Sequence, residues 1–143
     1  MAVSVRIEQA IDAPIQRVWD DVADIASHVE WMADAESITF RTRQRSGAGT
    51  AMEVLTKVGP LRMRDVIEFT EWEPPHRMAI RHRGLVKGEG AFLLESTGDT
   101  TRFVWAERLT FPWFLGGAIT AWFAAPALRL IWRRNLRRLA ARF

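Results

Sequence analysis

Alternation of hydrophobic and polar residues dominates this chain and predicts strands. Val3, Val5 and Ile7 alternate with polar residues at the start, a pattern typical of a half-buried strand. Alternation recurs over residues 36–44, 50–58, 61–72, 76–83, 88–97 and 100–110, with glycine- and proline-rich breaks between most of these ranges. Because connections this short permit only antiparallel neighbours, the six later strands should form a meander, with the first strand at an edge.

Helical spacing replaces this alternation between the first two strands. Asp12 and Pro14 favour a helix start, with Asp12 as a candidate N-cap. A second short helix is expected near Ser27. The apolar residues that follow Pro14 at helical spacing share one face: Ile15, Val18, Trp19, Val22 and Ile25.

A long helix is predicted to close the chain. Pro126 should kink or break it, because proline removes the bond to the Trp122 carbonyl at a cost of about 3 kcal/mol. The alanines before Pro126 cannot fill a concave sheet, so any cavity should be deepest near Ala118–Ala125. The apolar stripe of this helix comprises Ala118, Ala121, Ala125, Leu128, Trp132, Leu136, Leu139 and Phe143.

Three ionisable residues fall on the otherwise apolar inner face of the predicted sheet. Asp65, His82 and Glu107 share this parity, and charged groups on a dry face are costly unless they are paired or wetted. They predict a polar cluster that orients a ligand oxygen or performs acid–base chemistry. Two alternatives remain: a wet position near strand ends, or a slip of the alternation at a bulge.

The predicted ligand-binding residues join this cluster to apolar neighbours. Trp31, Trp105 and Trp122 are included as candidate pocket walls, although packing is the more ordinary role for tryptophan. The full set is Trp31, Met52, Met63, Asp65, Ile80, His82, Phe92, Trp105, Glu107, Ala121, Trp122 and Ala125.

Composition narrows the function classes. The 143 residues suit one domain, 1–143, and the absence of cysteine excludes thiol catalysis and fits a reducing cytoplasm. The N-terminal residues have no apolar core typical of a secretory signal. The three histidines have no metal-site spacing, and no phosphate loop, dinucleotide fingerprint or Ser-His-Asp order is present, so neither a metal nor a cofactor is predicted.

Charge is distributed unevenly along the chain. Residues 1–107 carry 13 Lys and Arg against all 17 Asp and Glu, whereas residues 108–143 carry seven Arg and no acid. This basic helix is either a solvated face or a weak contact for an anionic membrane through Arg129, Arg133 and Arg137, without insertion, because the apolar stripe should stay on the sheet. Nucleic-acid binding is disfavoured, since arginines and aromatics face opposite ways. A transmembrane helix over residues 109–128 is disfavoured by its glycines and prolines.

The order of elements resembles the START-like, or SRPBCC, superfamily of birch-pollen-allergen-like proteins, and within it the polyketide cyclase/dehydrase-like group. The resemblance rests on Ile11-Asp12-Ala13-Pro14, Val18-Trp19, Val22-Ala23-Asp24, the Glu73-Pro74-Pro75 turn and the closing helix. It implies an α+β helix-grip fold, with a seven-stranded curved antiparallel sheet wrapped on a long C-terminal helix and two short helices after the first strand.

The resemblance also implies an internal cavity for a lipid, polyketide or steroid. Binding or transport of a hydrophobic small molecule is therefore the predicted function. The alternatives are a polyketide cyclase/dehydratase-type enzyme and a peripheral membrane or partner-binding protein that acts through the basic helix. The chain has no tyrosine, so cyclase chemistry that relies on a phenol has no counterpart here.

Overall fold

Seven antiparallel strands form the sheet. The computed structural model describes residues 2–143, apart from the side chains at positions 61, 115, 117, 118 and 121. The strand order is β1-β7-β6-β5-β4-β3-β2, which confirms both the meander and the edge position of the first strand. The strands are β1 (Ala2–Ile11), β2 (Ala35–Phe40), β3 (Ala51–Val58), β4 (Leu61–Glu73), β5 (Arg77–Arg83), β6 (Lys87–Thr97) and β7 (Thr100–Thr110).

Two short helices follow β1, as predicted. Helix α1 spans Ile15–Ala23, and a 3₁₀ helix spans Ile25–Glu30. The N-cap of α1 is Pro14, with no side-chain cap, so the assignment of Asp12 as N-cap was wrong. Asp12 stands two positions before the cap, whereas a capping side chain bonds N–H groups from the cap position itself. Helix α1 buries Val18, Trp19 and Val22.

The closing helix α2 spans Gly117–Ala140, after a 3₁₀ turn over Trp113–Leu115. It does not break at Pro126, which lies on its exposed side, where water can replace the missing N–H donor at the Trp122 carbonyl. In the described part of the chain, no helix is long and apolar enough to cross a membrane.

The C-terminal half of α2 docks on the sheet. Trp132, Leu136 and Leu139 are almost completely buried, which confirms that this part of the apolar stripe faces the sheet. Asn135, also fully buried, accepts a hydrogen bond from the Ala33 N–H at 3.0 Å and donates one to Asp34 Oδ1 at 2.7 Å. The helix is thereby fastened to the loop between the 3₁₀ helix and β2.

One bulge shifts the predicted alternation. The pairing of β4 with β5 slips between Phe69 and Glu71, so that Trp72, rather than Glu71, packs on the core. Trp72 meets both Trp19 and Phe69 edge to face, at 5.4 and 5.5 Å between ring centroids. The slip lies beyond Asp65, and the parity of the candidate cluster is unaffected.

Candidate functional site

A cavity of about 170 Å³ lies between the inner face of the sheet and α2. Its walls are mainly apolar, and Met32, Met52, Met63 and Met78 all contribute. Unbranched thioether side chains adapt to ligands of different shape. Helix α2 contributes Leu128 and Trp132.

A three-residue polar cluster interrupts this apolar wall. His82 Nδ1 lies 2.5 Å from Asp65 Oδ2, and His82 Nε2 lies 3.3 Å from Glu107 Oε1. All three residues line the cavity, and the His82 and Glu107 side chains are 9% and 6% exposed. The structure thus brings His82 together with two residues that are 17 and 25 positions away in sequence.

Glycines on the neighbouring strand explain how Glu107 reaches His82. Glu107 is on β7 and His82 on β5, with β6 between them. Gly88 of β6 pairs with His82, and Gly90 pairs with Glu107. A Cβ atom on Gly90 would lie 2.5 Å from Cγ of Glu107, so only glycine leaves room for the carboxyl group to lie across β6.

The same principle operates on the other side of His82. A Cβ atom on Gly84 would lie 2.9 Å from Asp65 Oδ1. Gly84 and Gly90 therefore leave the space in which the two carboxyl groups lie beside the His82 imidazole.

His82 is held as a cation. Burial opposes the charged form, but the hydrogen bonds that the ring donates to Asp65 and Glu107 outweigh it and raise the pKa of His82 to about 10. Both ring nitrogens of an imidazolium are donors, which matches a carboxyl oxygen on each side. At neutral pH the ring is a poor base and a firm hydrogen-bond donor.

A second histidine lines the cavity in the opposite state. Burial lowers the pKa of His28 to about 4, only partly offset by a hydrogen bond to the Val22 carbonyl, 2.7 Å from Nε2. This ring is neutral near pH 7 and donates through Nε2.

Two buried polar atoms of cavity-lining residues have no hydrogen-bond partner within the described residues. They are Oδ1 of Asp65, an acceptor, and Nε1 of Trp105, a donor. A buried polar atom left unpaired costs about 1–3 kcal/mol. A ligand with both an O–H group and an acceptor oxygen has the chemistry to satisfy them.

Aromatic rings pack around Trp105 and hold it in place. Its ring stacks on Trp132 of α2 at 4.8 Å and 16°, and meets Phe92 edge to face at 5.2 Å. Trp31, which is fully buried, contacts Phe92 and Trp105 from behind. Trp31 therefore supports the aromatic wall but does not line the cavity.

Eight of the twelve predicted ligand-binding residues line the cavity, and α2 accounts for most of the difference. Trp122 is 74% exposed and Ala125 is half-buried, and neither belongs to the cavity wall. The side chain of Ala121 lies outside the described residues. The eight are Met52, Met63, Asp65, Ile80, His82, Phe92, Trp105 and Glu107.

Several wall residues were missed from the sequence. Leu128 and Trp132 carried a signal, because they continue the apolar stripe of the helix beyond Pro126. His28, Met32 and Phe111 lie in the 3₁₀ segment and in loops, where no periodicity indicates a direction. Among the described residues, no group of three His, Asp or Glu has the geometry to hold a metal ion.

The family comparison covers nearly the whole chain. The model of the family described as "Polyketide cyclase / dehydrase and lipid transport" matches residues 2–143. Two curated relatives from strains of Mycobacterium tuberculosis, both described as uncharacterized, are 28% identical over 80 residues. That match spans 54% of this chain and 56% of the relatives' own length.

Solved structures share the fold. A protein from Thermus thermophilus is 24% identical, with a TM-score of 0.82 over 97% of this chain and 95% of that one. An aromatase/cyclase from a Streptomyces species has a TM-score of 0.77 at 15% identity, over 99% and 93% of the two chains. Norcoclaurine synthase from Thalictrum flavum has a TM-score of 0.62 at 15% identity, over 76% and 69%. At these identities the likeness establishes the helix-grip fold alone.

Proposed function

The chain belongs to the polyketide cyclase/dehydrase and lipid transport family, and on this premise we propose that it binds a hydrophobic small molecule that carries a hydroxyl and a carbonyl oxygen. The observation that carries the proposal is the Asp65–His82–Glu107 cluster set into an apolar cavity wall. Apolar walls supply most of the affinity, and a few fixed polar groups supply orientation and specificity.

The polar groups specify how the ligand is oriented. The free Asp65 Oδ1 accepts from a ligand hydroxyl, and Trp105 Nε1 donates to a ligand oxygen. A hydrogen bond accepted by a carboxylate is roughly twice as strong as one between neutral groups, so Asp65 is a strong anchor for a ligand hydroxyl.

Cavity size limits the ligand. A cavity of about 150 Å³ is known to hold benzene, and 170 Å³ is of the same order. We expect one or two fused rings to enter without rearrangement. Longer polyketide or lipid chains require the four methionines to repack or part of the ligand to remain outside.

A matched pair of ligands tests this proposal. Naphthalene and naphthol differ by one hydroxyl group and should both displace a neutral naphthylamine fluorophore from the folded protein. His82→Ala should weaken naphthol binding by roughly 10- to 100-fold. Asp65 then loses the partner that positions its carboxylate for the naphthol hydroxyl, and a hydrogen bond to a charged group contributes about 1.5–3 kcal/mol. Naphthalene binding should change little. His76→Ala, at an exposed histidine outside the cavity, is the matched control.

Two results would count against binding at this site. Equal losses for naphthol and naphthalene would assign the effect of His82→Ala to packing. Leu128→Trp should fill the cavity from α2. If naphthol and naphthalene still displace the fluorophore from this variant as before, the ligand binds elsewhere. Circular dichroism melting of each variant separates these results from unfolding.

An enzymatic role is a second candidate, favoured by one observation. His82 retains its proton at neutral pH between two carboxyl groups, an arrangement suited to dehydration of a β-hydroxy ketone. One carboxylate would take the α-proton, and the C–O bond would break as C=C forms. His82 would turn its Nε2–H from Glu107 to the departing hydroxyl and protonate it to give water. Release of water from a bicyclic β-hydroxy ketone, followed by mass spectrometry, tests this role. Turnover unaffected by His82→Ala would contradict it.

A further inference from the structure

A second surface of this protein is chemically unusual. The 3₁₀ turn before α2 and the first half of α2 expose large apolar side chains, with Trp113 86% and Trp122 74% exposed. Single exposed hydrophobic residues are ordinary, but a contiguous group marks an interaction surface. We name this group the apolar tip: Leu85, Trp113, Phe114, Ile119, Trp122 and Phe123.

The pairing of strands places these residues at one end of the molecule. Lys87 of β6 pairs with Thr110 of β7, so the turn that contains Leu85 lies beside the chain leading to Trp113. Ile119, Trp122 and Phe123 then occupy positions i, i+3 and i+4 of α2 and share one face. This face points away from the sheet, opposite the docked stripe.

Basic residues continue the same face of α2. Arg129, Arg133 and Arg137 follow Trp122 at 7, 11 and 15 positions. Arg133 and Arg137 are exposed, whereas Arg129 is half-buried and lines a groove with Ser4 and Arg6 of β1. Arg129 lies roughly 10 Å from Trp122 along the axis, at about 1.5 Å per residue. No acidic residue occurs after Glu107. Arg142, by contrast, is engaged by Asp21.

The apolar tip adjoins the cavity. Three residues of the cavity wall lie next to this surface in sequence: Val86, Phe111 and Leu128. Val86 follows Leu85, Phe111 lies two positions before Trp113, and Leu128 precedes Arg129. The same end of the molecule thus carries apolar side chains, positive charge and part of the cavity wall.

We propose that this surface docks on an anionic lipid bilayer. Trp113, Phe114, Trp122 and Phe123 enter the interface between headgroups and acyl chains, where indole and phenyl rings are favoured. Arg129 and Arg133 lie at headgroup depth and pair with lipid phosphates. The expectation of a purely electrostatic contact is thereby revised, because the inserted residues are separate from the docked stripe.

The charge pattern selects this occupant over a protein partner or a second copy. The arginines of one copy repel those of a second copy across a twofold contact, whereas an anionic leaflet complements both the apolar side chains and the positive charge. Because Trp132, Leu136 and Leu139 keep the C-terminal half of α2 on the sheet, the contact is interfacial. In this orientation the cavity faces the membrane and can exchange an apolar ligand with it, a consequence that rests on the proposed function.

Vesicle flotation tests the docking step. The full chain should float with vesicles of phosphatidylcholine containing a third phosphatidylglycerol, and much less with phosphatidylcholine alone. Arg129→Gln with Arg133→Gln should lower the partition coefficient about fivefold per arginine, removing most of the preference for anionic vesicles. Arg43→Gln with Arg45→Gln, at exposed positions after β2 and at the opposite end of the sheet from the apolar tip, should change it far less.

Aromatic variants separate insertion from charge attraction. Trp113→Ser with Trp122→Ser should lower partitioning at least tenfold at every salt concentration, and Trp113→Phe with Trp122→Phe should restore most of it. Unchanged flotation of the serine variant would overturn the proposal. So would a salt-independent dimer, detected by sedimentation, that dissociates in the serine variant. Fluorophore binding in solution should persist in these surface variants, so a failure of docking is distinguishable from a failure of the cavity proposal.

Discussion

At the scale of single residues, the site depends as much on missing side chains as on those present. Gly90 lies two positions before Phe92 in the predicted strand 88–97, which places it on the same inner face, but the sequence offers no reason for a glycine there. The structure supplies one, because the Glu107 carboxyl group occupies the space of the absent side chain. Contacts across an intervening strand leave no periodic signal, so this role was not predictable.

Gly90→Ala should therefore uncouple Glu107 from His82. The new methyl group cannot coexist with Glu107 Cγ at 2.5 Å, and the carboxyl group must move. With one stabilising partner lost, the pKa of His82 should fall from about 10 towards its ordinary value near 6.5. NMR titration of the His82 ring measures this shift.

Glu107→Gln is the matched comparison for Gly90→Ala. It removes the charge and keeps the shape, so it should lower the pKa of His82 without disturbing β6. A His82 pKa that stays near 10 in both variants would show that Asp65 alone holds the cation.

At the scale of elements, the sequence predicted the strands within a few residues, and it predicted the edge position of β1. Alternation is a strong signal when one face is dry, as it is in β3, β5 and β7. The signal failed at the β4 bulge, where one extra residue moved Trp72 inward. In the first half of α2, the stripe side chains of Ala118 and Ala121 lie outside the described residues, and Ala125 is half-buried without lining the cavity.

Asn135 is a buried contact of α2 that the hydrophobic pattern could not predict. A polar residue on a helix normally indicates the wet side, yet Asn135 is completely buried and holds Ala33 and Asp34. Its partners lie about 100 residues away in sequence. Only the folded chain discloses the pairing.

Asn135→Ala should destabilise the protein by about 1–3 kcal/mol, because the Ala33 N–H loses its acceptor in a partly buried place. Urea unfolding followed by circular dichroism gives the free energy of unfolding. Asn135→Asp, which keeps the acceptor but faces Asp34, should be destabilising for a different reason, charge repulsion, and should recover in part at low pH. Surface substitutions usually change the free energy of unfolding by less than about 0.5 kcal/mol. A change that small in Asn135→Ala would show that the loop moves and that water replaces the lost acceptor.

At the scale of the whole molecule, two buried histidines in opposite protonation states should shape the pH dependence of stability. The pKa of His82 is raised to about 10, so its contribution is complete below pH 6.5 and is lost as pH rises from 6.5 through 10. The pKa of His28 is lowered to about 4 by burial, so the folded state resists a proton that the unfolded chain accepts. Stability should then decline as pH falls from 6.5 towards 4.

The free energy of unfolding should therefore be greatest near pH 6.5, with a different histidine responsible for each slope. Each histidine exchanges at most one proton, so the free energy of unfolding changes by at most about 1.4 kcal/mol per pH unit on each limb. Urea titrations between about pH 5 and 9.5 measure both limbs. His28→Gln should flatten the acid limb, His82→Gln should flatten the alkaline limb, and His76→Gln, at an exposed position, should change neither. An alkaline limb that persists in His82→Gln would mean that His82 is not a cation in the folded protein. It would also remove the basis for a charged hydrogen-bond donor in the cavity, because that role requires the proton to remain on His82 at neutral pH.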